Sequence, residues 1–373
     1  MKARESLYKA AVEPERRDVH MMTVTIKDVA RAAKVAPSTV SRVISDSPRI
    51  SERTKEKVRE AMQELGYHPN FNARSLANQS TKTIGVVMPN SANKTFQNPF
   101  FPEVIRGIST KAHQLEYGLY LSTGQSEEEI FEEVQHMVQG KRVDGIILLY
   151  SKADDQVMKY LHEQDFPFTV IGRPYDETLQ NVTYVNNDNF KAAKTVTEYL
   201  LLLGHKRIAF IGGNLENVVT IDHMEGYHRA LKNAGMEPNN DFIVFHEELQ
   251  EGGQEAVIDL MSLNERPTAM IVADDIMTFG VMRMLSEMEI HVPDDISIIS
   301  FNNVMISELS APPMTTVDIN IYSLGYEAAN LLIDKILHPG AEAKKMLIPH
   351  KLMKRETCRR IASAQRAASE KSV

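Results

Sequence analysis

The sequence predicts a chain in two parts, a small all-α helix-turn-helix headpiece followed by an α/β core of two Rossmann-like lobes. Three observations carry that reading. Between Thr25 and Leu65 apolar residues recur at i, i+3, i+4 and i+7 in short blocks broken by turn residues, the mark of small amphipathic helices. From Thr83 onward the period changes to short apolar or β-branched runs of strand length, mostly separated by helical stretches. Charge divides at the same place: residues 22–82 carry 11 Lys and Arg against 6 Asp and Glu, a net +5 within a chain whose total is -8. The remainder therefore holds -13. A basic head on an acidic body is the distribution expected of a nucleic-acid reader with a separate regulatory domain.

The first helix covers Thr25 to Ala33, with Ile26, Val29, Ala30 and Ala33 on one apolar stripe. Thr25 stands at its N-cap, and Asp28 places a carboxylate in the first turn, where the helix dipole favours it. After a break at Lys34 and Val35, Pro37 opens a second helix whose buried face is Val40, Val43 and Ile44. Two short helices joined so tightly make a helix-turn-helix, although the spacing also suits an αα-hairpin of a larger bundle. Ser51 caps a third helix with the face Val58, Ala61, Met62 and Leu65, ended by Gly66, which is enough to close a three-helix headpiece. The polar segment HPNFNARSLANQS, which carries Leu76, follows.

The core runs are TIGVVMPN, LYLSTG, GIILLY, FTVIGR, TYVNND, RIAFIGG, FIVF, TAMIVAD and SIISFN. Their βαβαβ alternation argues a parallel, doubly wound sheet covered on both faces. So many runs exceed one compact sheet, so two lobes are expected, roughly 83–187 and 188–317, with the remaining C-terminal residues crossing back.

Composition narrows the function. With 373 residues and 43% hydrophobic content, the chain can bury a large core beside a small appended domain. No stretch reaches eighteen consecutive apolar residues and MKARESLYKAAVEPERRDVH has no apolar signal core, so neither a membrane span nor secretion is expected. The single cysteine, Cys358, rules out an internal disulfide and suits a reducing cytoplasm. No GxGxxG follows a strand, no GxxxxGK[ST] occurs, and no Cys/His cluster has metal spacing, so no cofactor, metal site or catalytic residue is expected and the chain does not read as an enzyme. His223 and His228, five apart, do not share a helical face and read as surface or satisfied histidines. Asp274 and Asp275 are adjacent and point apart, which suits a helix cap plus one cleft-facing acceptor better than an acid/base pair. What remains is a crevice at the carboxyl ends of parallel strands, the default ligand site of such sheets.

The run TIKDVARAAKVAPSTVSRVIS, with HPNFNARSLANQS behind it, resembles the headpiece and hinge of the lactose-repressor (LacI/GalR) family of bacterial transcription regulators. The core resembles the type I periplasmic-binding-protein fold of that family, and the likeness extends from Thr25 to Arg359. It implies that Pro37, Ser38 and Arg42 face base edges in the major groove of double-stranded operator DNA. Arg42 suits a bidentate guanine contact, Ser38 donates or accepts, and Pro37 offers apolar contact to a thymine methyl. Thr25, Thr39 and Ser41 are phosphate or capping groups that position without reading sequence. Asn70, Ala73 and Leu76 match the family's Asn-x-x-Ala-x-x-Leu hinge helix, which folds only on DNA, with Leu76 as the minor-groove wedge. Lys34 departs from the Gly common in the family's tight turn; a left-handed Lys costs about 1 kcal/mol.

The same resemblance places crossovers near Asn187, Asp318 and Leu347. The expected organisation is a disordered extension at 1–21, with Met21 or Met22 as alternative starts, a headpiece at 22–68, and a hinge helix and linker at 69–82. The effector and dimerisation core then spans 83–359, with lobe 1 at about 83–187 and 318–346, lobe 2 at about 188–317 and 347–359, and a tail at 360–373. The family's cleft residues fall on Phe100, Phe101, Arg173, His223, Asp274 and Asn302. Arg173, Asp274 and Asn302 suit hydroxyls, and the Phe pair offers a platform for a sugar face or simply core at a helix start. Each of these positions also has a purely structural reading in capping or lobe packing. His223 stands where sugar- and purine-binding members carry Arg, and a neutral imidazole donates less and makes affinity pH-dependent.

PNSANKTFQNPFFPEV, VIGRP and SFNN followed by ELSAPPMTTVDI are similar to the maltose-operon repressors of Gram-positive bacteria within this family. The resemblance therefore implies a homodimeric repressor on a pseudo-palindrome, released by a small-molecule sugar effector, maltose or a related α-glucoside. A catabolite-control regulator of the same family, with a phosphorylated carrier protein as co-repressor, is the alternative. The tail IASAQRAASEKSV lacks leucine heptads, so no C-terminal coiled-coil tetramer is expected.

Overall fold

The computed structural model describes residues 24–67, 80–89, 92–179 and 181–361. The expectations for residues 1–21, for the hinge at Asn70, Ala73 and Leu76, and for the tail beyond residue 361 lie outside the described residues. The chain divides into two compact units, 1–79 and 80–373.

In the first unit, α1 (Ile26–Ala33), α2 (Pro37–Ile44) and α3 (Glu52–Glu64) close around Val29, Ala30, Ala33, Val40, Val43, Val58 and Ala61. The Asp28 carboxylate accepts from both the N–H (3.0 Å) and the hydroxyl (2.7 Å) of Thr25, which fixes the start of α1. α1 stops because Lys34 turns left-handed at φ 55°, letting the Val35 N–H reach back to Ala30 O at 3.0 Å. α3 ends by the same device at Gly66 (φ 62°), where the Tyr67 N–H bonds Met62 O at 2.9 Å. That reversal corrects one expectation: Leu65 is 37% exposed at the helix end, and Tyr67 folds back onto the core instead. Between α2 and α3, Lys55 reaches Asp46 and Glu52, each at 2.9 Å, bracing the turn.

The second unit begins at Ser80, three residues before the expected boundary. The Asp144 carboxylate accepts from the Ser80 hydroxyl (2.6 Å), the Thr81 N–H (2.7 Å) and the Lys82 N–H (2.9 Å), so residues 80–82 belong to the core. The first lobe runs β1 (Thr83–Val87), α4 (Ala92–Gln97), α5 (Phe100–Gln114), β2 (Gly118–Leu121), α6 (Glu127–Gln139), β3 (Gly145–Leu148), α7 (Gln156–Glu163), β4 (Phe168–Ile171) and β5 (Thr183–Asn186). The second runs α8 (Asn189–Leu202), β6 (Ile208–Gly212), α9 (Val218–Asn233), β7 (Ile243–Phe245), α10 (Gln250–Met261), β8 (Ala269–Val272), α11 (Asp275–Glu287), β9 (Ser297–Asn302), α12 (Met305–Leu309) and β10 (Thr315–Asp318). The chain then returns through α13 (Ile321–Leu337) and β11 (Lys345–Leu347) to the first sheet, and through β12 (Lys351–Met353) to the second.

Among the described residues this gives two six-stranded sheets of matching order, β11-β5-β4-β3-β1-β2 and β12-β10-β9-β8-β6-β7. Every pairing is parallel except β10 with β12. The central strands β3, β4, β6 and β8 are apolar almost throughout and buried along their length, as in parallel sheets covered on both faces, while the outer strands β2, β11 and β12 are partly exposed. On the first lobe α13 and α5 meet backbone to backbone: a Cβ on Gly325 would stand 2.0 Å from Val104 O, and one on Gly107 2.2 Å from Tyr322 O. In both sheets the strand order reverses beside the first strand, β1 or β6, and the loops at that reversal open toward the other lobe. Ile361 still donates to Leu203 O at 2.9 Å, so the ordered core runs two residues into the expected tail.

Candidate nucleic-acid interface and ligand cleft

The headpiece presents Pro37, Ser38, Ser41 and Arg42 on the exposed side of α2, with Val40 and Val43 buried behind them. Thr25 is exposed at the start of α1, and Thr39 is half-buried. No hydrogen bond or ion pair holds the Arg42 guanidinium among the described residues, whereas Arg31, Lys55 and Arg59 are all engaged by Asp28, Glu52 or Asp46. An unpaired guanidinium on the open face of a short helix is the group such a surface has available for an outside partner.

In the core, the loops at the two sheet reversals enclose a cavity of about 320 Å3 between the lobes. All six positions singled out from the sequence, Phe100, Phe101, Arg173, His223, Asp274 and Asn302, line it. The lobes are stitched across it. Asn98 Nδ2 of lobe 1 donates to Asp274 Oδ2 of lobe 2 at 2.7 Å, and Arg173 donates to Asp222 at 3.1 and 2.5 Å. A short antiparallel bridge joins Lys152 to Asn217, with the Val218 N–H on Ser151 O (3.0 Å) and the Ala153 N–H on Glu216 O (2.8 Å).

Several of these residues differ in role from their sequence reading. Asp274 is both the cap and the cleft-facing acceptor: Oδ1 accepts the Met277 N–H at 2.7 Å while Oδ2 takes Asn98. Asp275 turns into the core, where it accepts from the Ser300 and Thr316 hydroxyls and the Val304 N–H. Burial lifts the Asp274 carboxyl to about 6 and that of Asp275 to about 7. His223 is 6% exposed and stacks on Phe301 with ring centroids 4.1 Å apart. Burial and the neighbouring His350 push it down to about 3, so it stays neutral at ordinary pH and cannot supply the pH-dependence its titration would give. His228 is half-buried, and its Nε2 is buried without a hydrogen-bond partner among the described residues. Phe100 and Phe101 form an edge-to-face pair, centroids 5.1 Å apart, at the start of α5, packed on the core and facing the cleft at once. Asn302 ends β9 at φ 99°, a strained angle that aims a free amide at the cavity.

Sequence reasoning missed Lys152, Asp222 and Glu248. Lys152 and Glu248 follow the carboxyl ends of β3 and β7, which is the signal that could have found them. Burial, with Asp274 nearby, raises Glu248 to about 7. Burial likewise lifts the Asp222 carboxyl, opposed by the Arg173 guanidinium beside it. The cavity is thus rich in acceptors, and its two cations are already paired, Arg173 with Asp222 and Lys152 with Glu127 and Glu216.

A basic three-helix reader joined to a two-lobed core with a cleft at the strand ends defines a ligand-responsive DNA-binding regulator. Residues 25–70 match the family of bacterial regulatory proteins of the lacI type, and residues 197–358 match a periplasmic binding protein-like domain. The HTH-type transcriptional regulator MalR of Streptococcus pneumoniae serotype 4 is 39% identical over 90% of this chain and all of its own length. Two solved structures each cover 90% of this chain and 99% of their own. One is the lac repressor dimer bound to operator and an anti-inducer (28% identity, TM-score 0.78), the other the transcriptional regulator CelR in complex with cellobiose (31%, 0.71). The chain belongs to the LacI family of transcription regulators and is not an enzyme. No described helix is long and apolar enough to cross a membrane.

Proposed function

We propose that the chain is a homodimeric repressor of carbohydrate-utilisation genes that leaves its operator when a small neutral sugar, maltose or a related α-glucoside, fills the cleft. The observation that carries this reading is the balance of groups in the cavity. Asp222, Glu248 and Asp274 supply acceptors, Asn302 a free amide and the Phe pair an apolar face, while Arg173 and Lys152 are committed to carboxylates. Hydroxyls can share such a lining, whereas a phosphate would find both lining cations already held by carboxylates. The likeness to a regulator solved with cellobiose supports the same ligand class.

On DNA, Pro37, Ser38 and Arg42 read base edges, Thr25, Thr39 and Ser41 set the register on phosphates, and Asn70, Ala73 and Leu76 form the hinge in the central minor groove. Sugar hydroxyls entering between Asn98 and Asp274, or beside Arg173 and Asp222, change the contacts that hold the lobes together and so shift the core toward an arrangement the hinges tolerate less. Coupling of this kind is reciprocal, so operator DNA weakens sugar binding by the same factor. Fluorescence anisotropy on a labelled palindromic duplex selected from a random pool tests the proposal. Maltose should weaken binding about tenfold or more, a coupling of roughly 1.4 kcal/mol. No response to any α-glucoside, together with tightening by a phosphorylated carrier protein, would replace it with the catabolite-control reading.

A further inference from the structure

Glu248 and Asp274 bring two carboxyl groups to the lining of one ligand cavity, Glu248 from the loop after β7 and Asp274 from the start of α11. The Glu248 carboxyl lies over Gly213, which also lines the cavity, so closely that a Cβ there would overlap Oε1. Glu248 is half-buried: it is held in the wall and not sealed from the cavity. Among the described residues no cation acts on either acid. Arg173 is held by Asp222, and Lys152 by Glu127 and Glu216. His246, two residues before Glu248, is turned to Glu255 (3.1 Å) and Asp259 (2.9 Å), and Glu247 is exposed.

Like charges that share a buried wall repel, and the carboxyl with fewer donors keeps its proton. Asp274 has donors on both oxygens, the Met277 N–H at 2.7 Å on Oδ1 and the Asn98 amide at 2.7 Å on Oδ2, and these favour its ionised form. For Glu248 the Asn217 amide alone opposes burial and the Asp274 charge, so it rises to about 7 against about 6 for Asp274.

We propose that Glu248 meets the sugar as a carboxylic acid, donating its proton to a hydroxyl or ring oxygen, so that effector binding takes up a proton from solvent and weakens as Glu248 ionises. The inference rests on the reading of the cleft as a sugar site. A sugar hydroxyl both donates and accepts, and Asp222 and Asp274 meet only its donor side. Glu248 as an acid supplies the missing donor, while its carbonyl oxygen still accepts.

Titration calorimetry of the full chain with maltose, maltotriose and trehalose tests this, following the tightest binder at pH 6.5 and 8.5. The wild type should bind about fivefold or more tighter at pH 6.5, because the acid form falls about tenfold per pH unit above its midpoint. At pH 7.5, titrations in phosphate and in Tris, whose ionisation heats differ, should show uptake of about half a proton or more, a measurement that needs no variant. Glu248→Gln keeps a neutral donor of similar size, so its affinity should change less than about twofold between the two pH values and exceed that of the wild type at pH 8.5. Asp222, Asp274 and Asp275 remain in that variant, so a pH dependence it retains belongs to them and overturns the proposal. Wild-type affinity constant within about twofold over this range, or binding without proton uptake, also overturns it. If none of the three sugars binds at either pH, the sugar reading of the cleft itself has failed and the role of Glu248 falls with it.

Discussion

Replacing Asn187 by Ala should loosen the core at a place where its three passages between the lobes meet. Asn187 is 3% exposed, and its Nδ2 donates to Ile319 O at 3.0 Å and Ile348 O at 2.9 Å. Asn187 follows β5 on the first passage between the lobes, Ile319 follows β10 on the second, and Ile348 follows β11 on the third. One amide therefore clasps three crossing segments that are distant in sequence. Alanine removes both donors. Each neutral hydrogen bond contributes about 1 kcal/mol net, and each buried carbonyl left open costs roughly 1–3 kcal/mol. Asn187 borders the cleft, so water reaches part of the gap, and the expected loss is about 2–4 kcal/mol. Urea unfolding of the full chain followed by far-ultraviolet circular dichroism measures it: the core transition should move to lower urea with an unchanged slope. A loss below about 0.5 kcal/mol would refute the clasp, because it would mean that solvent satisfies both carbonyls without Asn187.

Other perturbations probe separate parts of the molecule. Asp275 has its carboxyl raised from the ordinary 3.8 to about 7, so its contribution to stability is fully present below about 3.8 and lost as pH rises through about 7. The core melting temperature should fall between about pH 4 and 7, and Asp275→Asn should flatten that decline; parallel curves would show that the residue does not titrate there. Gly325→Ala should destabilise the first lobe by about 2 kcal/mol or more, since the new methyl would meet Val104 O at 2.0 Å and force α13 off α5; an unchanged thermal midpoint would contradict that close approach. Arg42→Ala should relax operator preference at one base pair, read by a duplex library, whereas a uniform loss over all sequences would mark a phosphate contact. Leu76→Ala should weaken specific operator binding by about 1–3 kcal/mol and leave sugar affinity intact, and unchanged operator affinity would remove its wedge role.

The headpiece was legible because its determinants are local. A stripe at helical spacing, Thr25 three residues before Asp28, and Gly66 past the end of α3 act within one or two turns of chain. Lys34 was legible too as the residue forced left-handed, although nothing in its own chemistry favours that angle. Leu65 was misassigned because periodicity continued past the point where the chain reverses, and the reversal brings Tyr67 to the site instead. In the core, nine strand runs announced two lobes, and the rule that ligands gather at strand ends pointed to the cleft.

The amino-acid sequence by itself determined where most of the helices and strands form and that the basic charge sits in the headpiece. Those properties depend on neighbours along the chain. Only the tertiary structure decided what the side chains in the cleft do. Asp274 meets Asn98, 176 residues away, Arg173 meets Asp222 across 49, and His223 is pressed against Phe301, where its charge is suppressed. Burial and partners of this kind arise when two separately folded sheets close on each other, and no period or motif encodes which residue then turns outward and which, like Asp275, turns in.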